Sequence, residues 1–494
     1  MQNNQNNQNS LPAEIFKAYD IRGIVDKTLT PEIVEKIGKV LGSLALENQQ
    51  NFIAVGRDGR LSGEKLANAL INGIISTGCN AYSIGCVPTP TTYFAANFLE
   101  NCNSCISVTG SHNPPEYNGI KMVINGKTLA LDDIQNIKKR ADNNDFQNAQ
   151  NQSQNKGKII SIDNIIENYI QRICSDVKIN ANNSPLKVII DCGNGVAGKV
   201  APKLFESLGC IVTPLFCEVD GNFPNHHPDP SKPENLQDLI KALQNSDAQI
   251  GLAFDGDGDR LGVVTKNGNI IFADRQLMLF AENVLENMQN AEIVYDVKCT
   301  RLLNSWIAER GGVATMWKTG HALIKQKLKQ TKAALAGEMS GHMFFNDSKK
   351  DGTPRWFGFD DGLYSGARLL EILADKVQKD PTQTFSDILN NLPNSPSTPE
   401  LNIKLNEGEP FLLIEKLQQW LAKNYNNDQA KVITLDGVRI EFADGFGLIR
   451  ASNTTPVVVL RFEADNQKAL QRIQNDFKTL IQSVWDCSKI EIPF

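Results

Sequence analysis

The stretch QIGLAFDGDGDR, residues 249–260, joins a short apolar segment to a loop that carries three carboxylates and an arginine. The apolar segment predicts a buried strand, and the glycines after it predict a loop. In α/β sheets, ligands bind where strands end, because side chains and free backbone amides converge at that edge. The stretch therefore favours an α/β fold with an anion-rich site at the end of this strand.

The three carboxylates of residues 255–259 stand two apart, so an extended backbone points them to one face. Unneutralised, they repel one another, which predicts a bound cation. An EF-hand does not fit, because Arg260 occupies the position of its glycine and Lys266 that of its closing glutamate. Three hard oxygen ligands suit Mg²⁺ that also contacts a phosphate, and an acidic surface turn is the alternative. The predicted metal ligands are Asp255, Asp257 and Asp259.

The size and charge of the chain limit the classes of protein it can be. Its 494 residues are too many for one hydrophobic core, which predicts three or four domains. The net charge of −6 argues against nucleic acid or an anionic membrane as the main partner. No apolar run is long enough to span a bilayer, and the Gln/Asn-rich start lacks the features of a signal peptide.

The cysteine pattern favours a reducing compartment. Ten cysteines are scattered along the chain without the spacing of a disulfide framework or a zinc site. Cys102 and Cys105 run into the apolar stretch CISV, which predicts buried thiols. We therefore expect a cytoplasmic protein.

Three successive segments alternate apolar strands with helices. Residues 52–85 predict a strand, a helix and a strand, which favours a layered α/β domain. A second segment begins at LKVIIDCGNG (186–195), and a third begins at EIVYDVKCT (292–300). The last segment differs, because residues 445–464 predict two strands around a loop.

The loop TGSHNP (109–114) supplies a candidate for the phosphate. Ser111 stands between Gly110 and His112 and lacks the G-x-S-x-G elbow of a serine hydrolase. Phosphorylated, it would offer a metal an anionic oxygen and carry a transferable phosphoryl group. A serine in a Gly/Pro turn is otherwise an ordinary turn residue, and this loop alone does not decide between the two.

Two further loops carry groups that can bind phosphate or sugar. RASNTTP (450–456) offers an arginine with hydroxyl and amide groups, although a polar hairpin loop would have the same composition. In GEMSGH (337–342), Glu338 and Ser340 stand two apart and can both reach sugar hydroxyls.

The five histidines divide into two groups. Three of them, His112, His321 and His342, fall in candidate loops. His226 and His227 are adjacent and point apart in an extended segment, so we expect a structural or domain-contact role for them.

In order, the motifs FKAYDIRG, VGRDGR, VPTP, TGSHNP, DCGNG, DGDGDR, KTGH, GEMSGH and RASNTTP resemble those of the α-D-phosphohexomutase superfamily. The resemblance is strongest to its bacterial phosphomannomutase/phosphoglucomutase branch, because phosphoglucosamine mutases typically carry GEQSGH. It runs from about Phe16 to the C-terminus. It implies four domains around a central cleft, namely three related α/β domains with mixed sheets and a smaller C-terminal α+β domain.

The polar stretches 143–157 and 392–400 predict linkers between these domains. We expect a disordered tail over 1–10 and four domains after it. The expected domains are 11–157 with the phosphoserine loop, 158–269 with the metal loop, 270–388 with the sugar-binding loop and 389–494 with the phosphate-binding loop.

The resemblance implies an isomerase that moves a phosphoryl group reversibly between the 1- and 6-positions of mannose and glucose phosphates. Ser111 would be a phosphoserine that forms a hexose 1,6-bisphosphate, which turns over and returns its other phosphate. One Mg²⁺ per chain would be held by Ser111 and the three aspartates. Glucose 1,6-bisphosphate would act as an activator.

The resemblance also implies roles for other residues of the motifs. Arg22, Lys121 and Arg260 match basic catalytic positions, and Lys121, His342 and Arg22 stay open as general-base candidates. Glu338 and Ser340 resemble residues that bind the 3- and 4-hydroxyls, so glucose and mannose, which differ at position 2, would both be accepted. The expected substrate contacts are Tyr19, His112, Lys298, His321, Glu338, Ser340, Arg450, Ser452, Asn453 and Thr454.

Two alternative functions stay open. A phosphoglucosamine or acetylglucosamine mutase would act on a 2-amino sugar, and a catalytically silent sugar-phosphate or Ca²⁺-binding protein would make Ser111 dispensable. NDSKKDGTP (346–354) is longer than the family pattern and is either a solvated surface insert or an element that alters access to the cleft. We expect a monomer that binds small-molecule hexose phosphates, without nucleic acid or membrane as partners.

Overall fold

The computed structural model describes residues 10–149, 156–179, 185–424, 430–453, 455–487 and 491–494. Most of the tail expected over 1–10, part of the linker expected over 143–157, and Thr454 lie outside the described residues. Among the described helices, none is both long and apolar enough to cross a membrane. The chain folds into four units, each built on one β-sheet.

The first unit has a mixed sheet with helices on its faces. Its strands are β1 (Ile21–Ile24), β2 (Phe52–Arg57), β3 (Asn80–Cys86), β4 (Cys105–Val108), β5 (Tyr117–Ile124), β6 (Lys127–Thr128) and β7 (Ile159–Ser161). Its helices are α1 (Pro31–Glu47), α2 (Gly63–Ser76), α3 (Thr89–Phe98) and α4 (Asp132–Asp142), preceded by a 3₁₀ turn at Ala13–Ile15. The strand order is β1-β5-β4-β2-β3-β7, with β6 beside β5. The predicted strand, helix and strand over 52–85 are confirmed, because Leu66, Leu70 and Ile74 recur at helical spacing and are buried.

The second unit repeats this pattern with five strands. They are β8 (Lys187–Asp191), β9 (Ile211–Leu215), β10 (Ile250–Phe254), β11 (Leu261–Thr265) and β12 (Ile270–Ile271). The helices are α5 (Ile165–Asp176), α6 (Ala201–Ser207) and α7 (Gln237–Gln244), with 3₁₀ turns at Val196–Lys199 and Pro233–Leu236. The sheet has the order β12-β11-β10-β8-β9, in which β10, β8 and β9 are parallel. Every residue of β10 is buried, as its apolar sequence predicts.

The third unit has four strands and five helices. The strands are β13 (Glu292–Asp296), β14 (Val313–Trp317), β15 (Leu335–Gly337) and β16 (Met343–Phe345), in the order β14-β13-β15-β16. The helices are α8 (Ala273–Asn287), α9 (Leu302–Glu309), α10 (His321–Thr331), α11 (Gly362–Lys379) and α12 (Phe385–Asn390). Helix α11 packs against the sheets of two units, because it contacts β10 and β11 of the second unit and β16 of the third. The domain boundaries expected at 157, 269 and 388 stay predictions.

The fourth unit is an antiparallel sheet with two helices. Its strands are β17 (Leu401–Lys404), β18 (Ala430–Ile433), β19 (Val438–Phe442), β20 (Gly445–Ala451) and β21 (Val457–Ala464), and its helices are α13 (Glu409–Asn424) and α14 (Gln467–Val484). The order is β17-β21-β20-β19-β18. The two strands predicted over 445–464 are therefore confirmed. This unit has its own apolar core, whereas a continuous core joins the first three units.

Each sheet sends one hairpin loop to the centre of the molecule. In the three mixed sheets, a strand that is parallel to its other neighbour ends at this loop, and the next strand returns antiparallel beside it. The four loops follow β4, β10, β15 and β20. The cleft is thus assembled from four polar loops, each of which follows a strand of a different sheet.

All ten cysteines are free thiols. Cys102 and Cys105 are buried in the first unit, as the apolar sequence after them predicts.

Candidate active site

A cleft of about 690 Å³ opens where the four loops meet, and all four units contribute to its wall. The three aspartates lie beneath this wall and are completely buried. The candidate residues that line the cleft are Tyr19, Arg22, Ser111, His112, Lys121, Arg260, Lys298, His321, Glu338, Ser340, His342, Arg450, Ser452 and Asn453. The structure thus brings the described candidates to one place, while the role of each stays a prediction.

The aspartate loop curls at the end of β10. Each carboxylate offers an oxygen atom within 4.8 Å of those of the other two. Gly258 has a φ of +79°, and a Cβ atom on Gly256 would lie 2.3 Å from the carbonyl oxygen of Ser111. Glycine at these two positions therefore allows both the curl and the close approach of the serine loop.

Lys121 crosses from β5 to the aspartate loop and neutralises part of its charge. Its Nζ donates to Asp257 Oδ2 at 2.8 Å and to Asp259 Oδ2 at 2.5 Å. The Oδ1 atoms of both aspartates are buried and have no hydrogen-bond partner among the described residues. These orphaned carboxylate oxygens face a site that a small, hard dication fits.

Two cations, Lys121 and Arg260, lie beside the three carboxylates of the aspartate loop. Burial raises the pKa of Asp255 well above its usual range, and Asp259 and Asp257 raise it further. Burial would also raise the pKa of Asp257, but Lys121 and the Thr89 hydroxyl outweigh burial and hold that pKa below its usual range. One carboxylate of the three is therefore left without compensation until another cation arrives.

Ser111 stands at the edge of this anionic group. Its hydroxyl oxygen lies 3.3 Å from Asp255 Oδ2 and 3.1 Å from His112 Nδ1. The backbone of Ser111 has a φ of +51°, a left-handed conformation that is costly for a non-glycine residue. The turn thus holds the serine oxygen beside the carboxylates and open to the cleft.

Arg60 stabilises the turn that carries Ser111. Its guanidinium is buried against Asp58, which also accepts from the backbone N–H of Gly110 at 3.0 Å. The guanidinium donates to four backbone oxygens, those of Ser111 at 2.9 Å, Asn113 at 2.5 Å, Pro114 at 2.6 Å and Tyr117 at 3.0 Å. A planar, five-donor group can satisfy this set of acceptors, and an ammonium cannot.

We expect Arg60→Lys to lower the free energy of unfolding by about 2–4 kcal/mol, because it leaves buried carbonyls and Asp58 without donors. Urea denaturation would measure the change. Arg57→Lys is the matched control, since Arg57 makes a 3.6 Å ion pair with the exposed Glu64, and its effect should stay below about 0.5 kcal/mol. Equal effects of the two variants would show that Arg60 does not support the turn.

His342 and Arg260 form another part of the cleft wall. Arg260 Nε lies 3.1 Å from His342 Nε2, and the Arg260 backbone N–H donates to Asp255 Oδ1 at 3.1 Å. The backbones of the two residues form an isolated antiparallel bridge, which ties the aspartate loop to the GEMSGH loop. Arg260 is thereby held between the aspartate loop and the sugar side of the cleft.

Most of the candidate substrate contacts come from the third and fourth units, while Tyr19 and His112 come from the first. Glu338 is buried and accepts from the Gly320 N–H at 2.6 Å, and burial raises its pKa. Lys298 donates to Glu400 at 2.6 Å, and Arg450 donates to Asp436 at 3.0 Å. Lys298 and Arg450 therefore reach the cleft as partly neutralised cations on either side of the boundary between these units.

The two adjacent histidines have structural contacts, as their sequence predicts. His226 Nε2 lies 3.0 Å from Asp191 Oδ1, and His227 Nε2 contacts the carbonyl oxygen of His112 in the first unit. The contact of His227 joins the second unit to the serine loop.

The insert over 346–354 lies away from the cleft. Ser348 and Pro354 pair as a short hairpin, and Asp347 binds Arg368 of α11 at 3.0 Å. None of residues 346–354, all of which the structure describes, lines the cleft. The geometry favours a surface insert over an element that alters access.

Sequence profiles of one family match nearly the whole chain. The Phosphoglucomutase/phosphomannomutase alpha/beta/alpha domains I, II and III match residues 13–148, 167–268 and 272–395, and the C-terminal domain matches 400–480. The chain belongs to the phosphoglucomutase/phosphomannomutase family. The resemblance drawn from its motifs and the four-domain fold class are thereby confirmed.

Similar members of the family cover the chain from end to end. A phosphomannomutase/phosphoglucomutase of Pseudomonas aeruginosa is 51% identical over 488 residues, 98% of each chain. A phosphoglucomutase of Neisseria gonorrhoeae is 54% identical over 96% of this chain and 98% of its own. A crystal structure of a phosphoglucomutase/phosphomannomutase family protein of Burkholderia thailandensis has a TM-score of 0.88 at 50% identity, covering 98% of this chain and all of its own.

Several groups around the family's cleft have no signal in the sequence alone. Thr89 of VPTP donates to Asp257 at 2.6 Å, and Asp360 of RWFGFDDG lies under two cleft histidines. The wall also includes Lys232 and Arg461. Of these residues Thr89 falls in one of the motifs named above, VPTP, but no neighbour in sequence indicates its partner.

Proposed function

We propose that this chain reversibly transfers a phosphoryl group between the 1- and 6-positions of glucose and mannose phosphates, through a phosphoserine at Ser111 and a hexose 1,6-bisphosphate. One observation carries the proposal: the Ser111 oxygen lies 3.3 Å from Asp255 in a cleft to which all four units contribute. A silent binding protein would not need a strained serine beside orphaned carboxylate oxygens.

In the first half-reaction, a sugar hydroxyl attacks the phosphorus on Ser111. The new sugar O–P bond forms as the Ser111 O–P bond breaks, and the hydroxyl proton passes to a base. In the second half-reaction, the Ser111 oxygen attacks the other phosphorus of the bisphosphate, the Ser111 O–P bond forms again as that sugar O–P bond breaks, and the base returns its proton to the sugar oxygen. Phosphoryl transfer is catalysed mainly by positioning and by neutralising charge on the transferring group. Arg260 and Arg22, which line the cleft together with Ser111, would supply positive charge to it.

We assign the Mg²⁺ site to Asp255, Asp257, Asp259 and the Ser111 oxygen. When bound, Mg²⁺ would neutralise charge on the transferring phosphoryl group. The orphaned Oδ1 atoms of Asp257 and Asp259 support this assignment. We also propose that glucose 1,6-bisphosphate acts as an activator, since it can restore the phosphoserine on a dephosphorylated chain.

Three groups on the cleft wall are candidates for the base: Lys121, His342 and Arg22. Burial would lower the pKa of Lys121, but Asp257 and Asp259 outweigh burial and raise it above its usual range. In this arrangement Lys121 keeps its proton and acts as a fixed cation.

The sugar must bind in two orientations, so its contacts have to tolerate a flip. We propose that Glu338 and Ser340 bind the 3- and 4-hydroxyls and that Arg450, Ser452, Asn453 and Thr454 hold the non-reacting phosphate. Tyr19, His112, Lys298 and His321 are further proposed contacts. We also propose a cytoplasmic monomer, whose four units together complete the cleft wall and whose cysteines are free thiols.

We expect kcat/KM for glucose 1-phosphate and mannose 1-phosphate to agree within about tenfold, because the proposed contacts do not include position 2. Initial rates would be measured side by side with Mg²⁺ and a trace of glucose 1,6-bisphosphate. A 2-amino sugar phosphate serves as the comparison substrate. Preference for the amino sugar would favour the phosphoglucosamine alternative, and turnover of none would contradict the proposed function.

A further inference from the structure

Asp360 lies in the third unit beneath the cleft and is completely buried. It does not line the cleft itself. Its Oδ1 accepts from Lys325 Nζ of α10 at 2.7 Å. Its Oδ2 faces two imidazoles, with His342 Nδ1 at 3.3 Å and His321 Nδ1 at 3.7 Å. The two rings are stacked, with centroids 5.8 Å apart. The carboxylate of Asp360 thus contacts both cleft histidines.

The contact with Arg260 decides which nitrogen of His342 carries the proton. Arg260 Nε bears a hydrogen and cannot accept, so His342 Nε2 must accept in the 3.1 Å contact between them. In the neutral ring the proton then lies on Nδ1, which faces two acceptor-only carboxylates, Asp360 Oδ2 at 3.3 Å and Asp259 Oδ1 at 3.5 Å. The donors are thus ordered from Arg260 to His342 to Asp360, with Lys325 donating from the far side.

We propose that Asp360 is a positioning residue for phosphoryl transfer, which fixes the tautomer and ring orientation of His342 and thereby the direction of Arg260. The inference rests on the proposed function. Arg260 is a cleft cation beside the aspartate loop, because its backbone N–H donates to Asp255 Oδ1 at 3.1 Å and its Nε lies 3.8 Å from Asp255 Oδ2. A change at Asp360 therefore acts on the transferring group without touching substrate, by way of its 3.3 Å contact with His342 Nδ1 and the 3.1 Å hydrogen bond between His342 and Arg260.

Asp360→Asn tests this order of donors while preserving the size of the side chain. Its one amide oxygen is needed by Lys325, so its NH₂ group would face the Nδ1–H of His342, and two donors would meet. The ring would turn or move its proton to Nε2, and either change breaks the contact with Arg260. We expect kcat to fall about 10- to 100-fold, with KM changed less than about threefold.

Asp361→Asn is the matched control. Asp361 is equally buried and accepts from the Tyr169 hydroxyl at 2.8 Å and from the Tyr364 N–H at 2.9 Å, at the start of α11. It contacts neither histidine within the described residues. The control should lower the thermal midpoint while leaving kcat of the folded enzyme within about threefold of wild type.

A second measurement does not depend on activity. With only five histidines, ¹⁵N-labelled imidazole spectra of wild type and Asp360→Asn can report each tautomer, and His342→Gln assigns the signal. We expect a protonated Nδ1 in wild type and a loss of that signal in the variant. An unchanged His342 tautomer, or a kcat within threefold of wild type, would overturn the inference. Wild type without mutase activity would contradict the proposed function instead, and the spectra would still test Asp360.

Discussion

Ser111→Ala should lower mutase activity at least about 10⁴-fold, because it removes the atom that carries the phosphoryl group between the two half-reactions. Two neighbouring hydroxyls among the described residues are already committed to other groups. Thr109 Oγ1 accepts from the Ser111 backbone N–H at 2.8 Å, and Thr89 donates to Asp257 at 2.6 Å. The loss should appear in kcat, since the contacts proposed for sugar and distal phosphate remain.

The measurement combines initial rates with intact mass spectrometry after incubation with glucose 1,6-bisphosphate. Wild type should gain one phosphoryl group, and Ser111→Ala should gain none. Ser104→Ala is the matched control, because Ser104 is also buried and lies directly before β4, whereas Ser111 follows β4. The Ser104 hydroxyl oxygen accepts from the Asn125 N–H at 2.9 Å. Phosphorylation and activity that survive in Ser111→Ala would refute the proposed mechanism.

The local parts of the fold could be predicted because their signals lie within a few residues. Residues 250–254 are apolar and end directly at the aspartates, and the structure places them in a fully buried strand. Residues 445–464 likewise contain two apolar runs around a polar loop, and they form an antiparallel pair. Burial and turn formation act over such short distances, so patterns of neighbouring residues reveal them.

The rest of the site depends on packing between sheets, which sequence patterns do not contain. Lys121 reaches two aspartates more than a hundred positions away, and Asp360 reaches His321 and His342 through a loop with no periodicity. Family resemblance supplied a role for Lys121, yet no motif pointed to Asp360 or to the four carbonyls held by Arg60. Supporting groups act through other residues, so their chemistry becomes visible only when their contacts are known.

Asp255→Asn should lower Mg²⁺-dependent activity roughly 10³-fold. It should at the same time stabilise the metal-free protein at neutral pH. The pKa of Asp255 is raised by burial and by Asp259 and Asp257, so its ionised form costs folding free energy. Removing that charge relieves the cost. If the free energy of unfolding rises by about 1 kcal/mol, the thermal midpoint should rise roughly 1–3 °C.

Asp257→Asn removes the same charge but should change the stability of the metal-free protein in the opposite direction. Lys121 and Thr89 hold the pKa of Asp257 below its usual range in spite of its burial, so its ionised form stabilises the fold at neutral pH. Its removal should lower the thermal midpoint of the metal-free protein. Both variants should bind Mg²⁺ at least about 100-fold more weakly in titration calorimetry, because each loses one carboxylate ligand.

The pH dependence gives a further check on the same pair. An aspartate with a raised pKa binds its proton more tightly in the folded state, so folding gains stability as the pH falls through that raised pKa. Metal-free wild type should therefore gain stability on mild acidification relative to Asp255→Asn, which has no such carboxyl group. Saturating Mg²⁺ should remove the difference in wild type, since the cation replaces the proton. Identical pH profiles in metal-free wild type and Asp255→Asn would mean that the three carboxylates are already balanced by Lys121 and Arg260, and that the site needs no metal for charge neutrality.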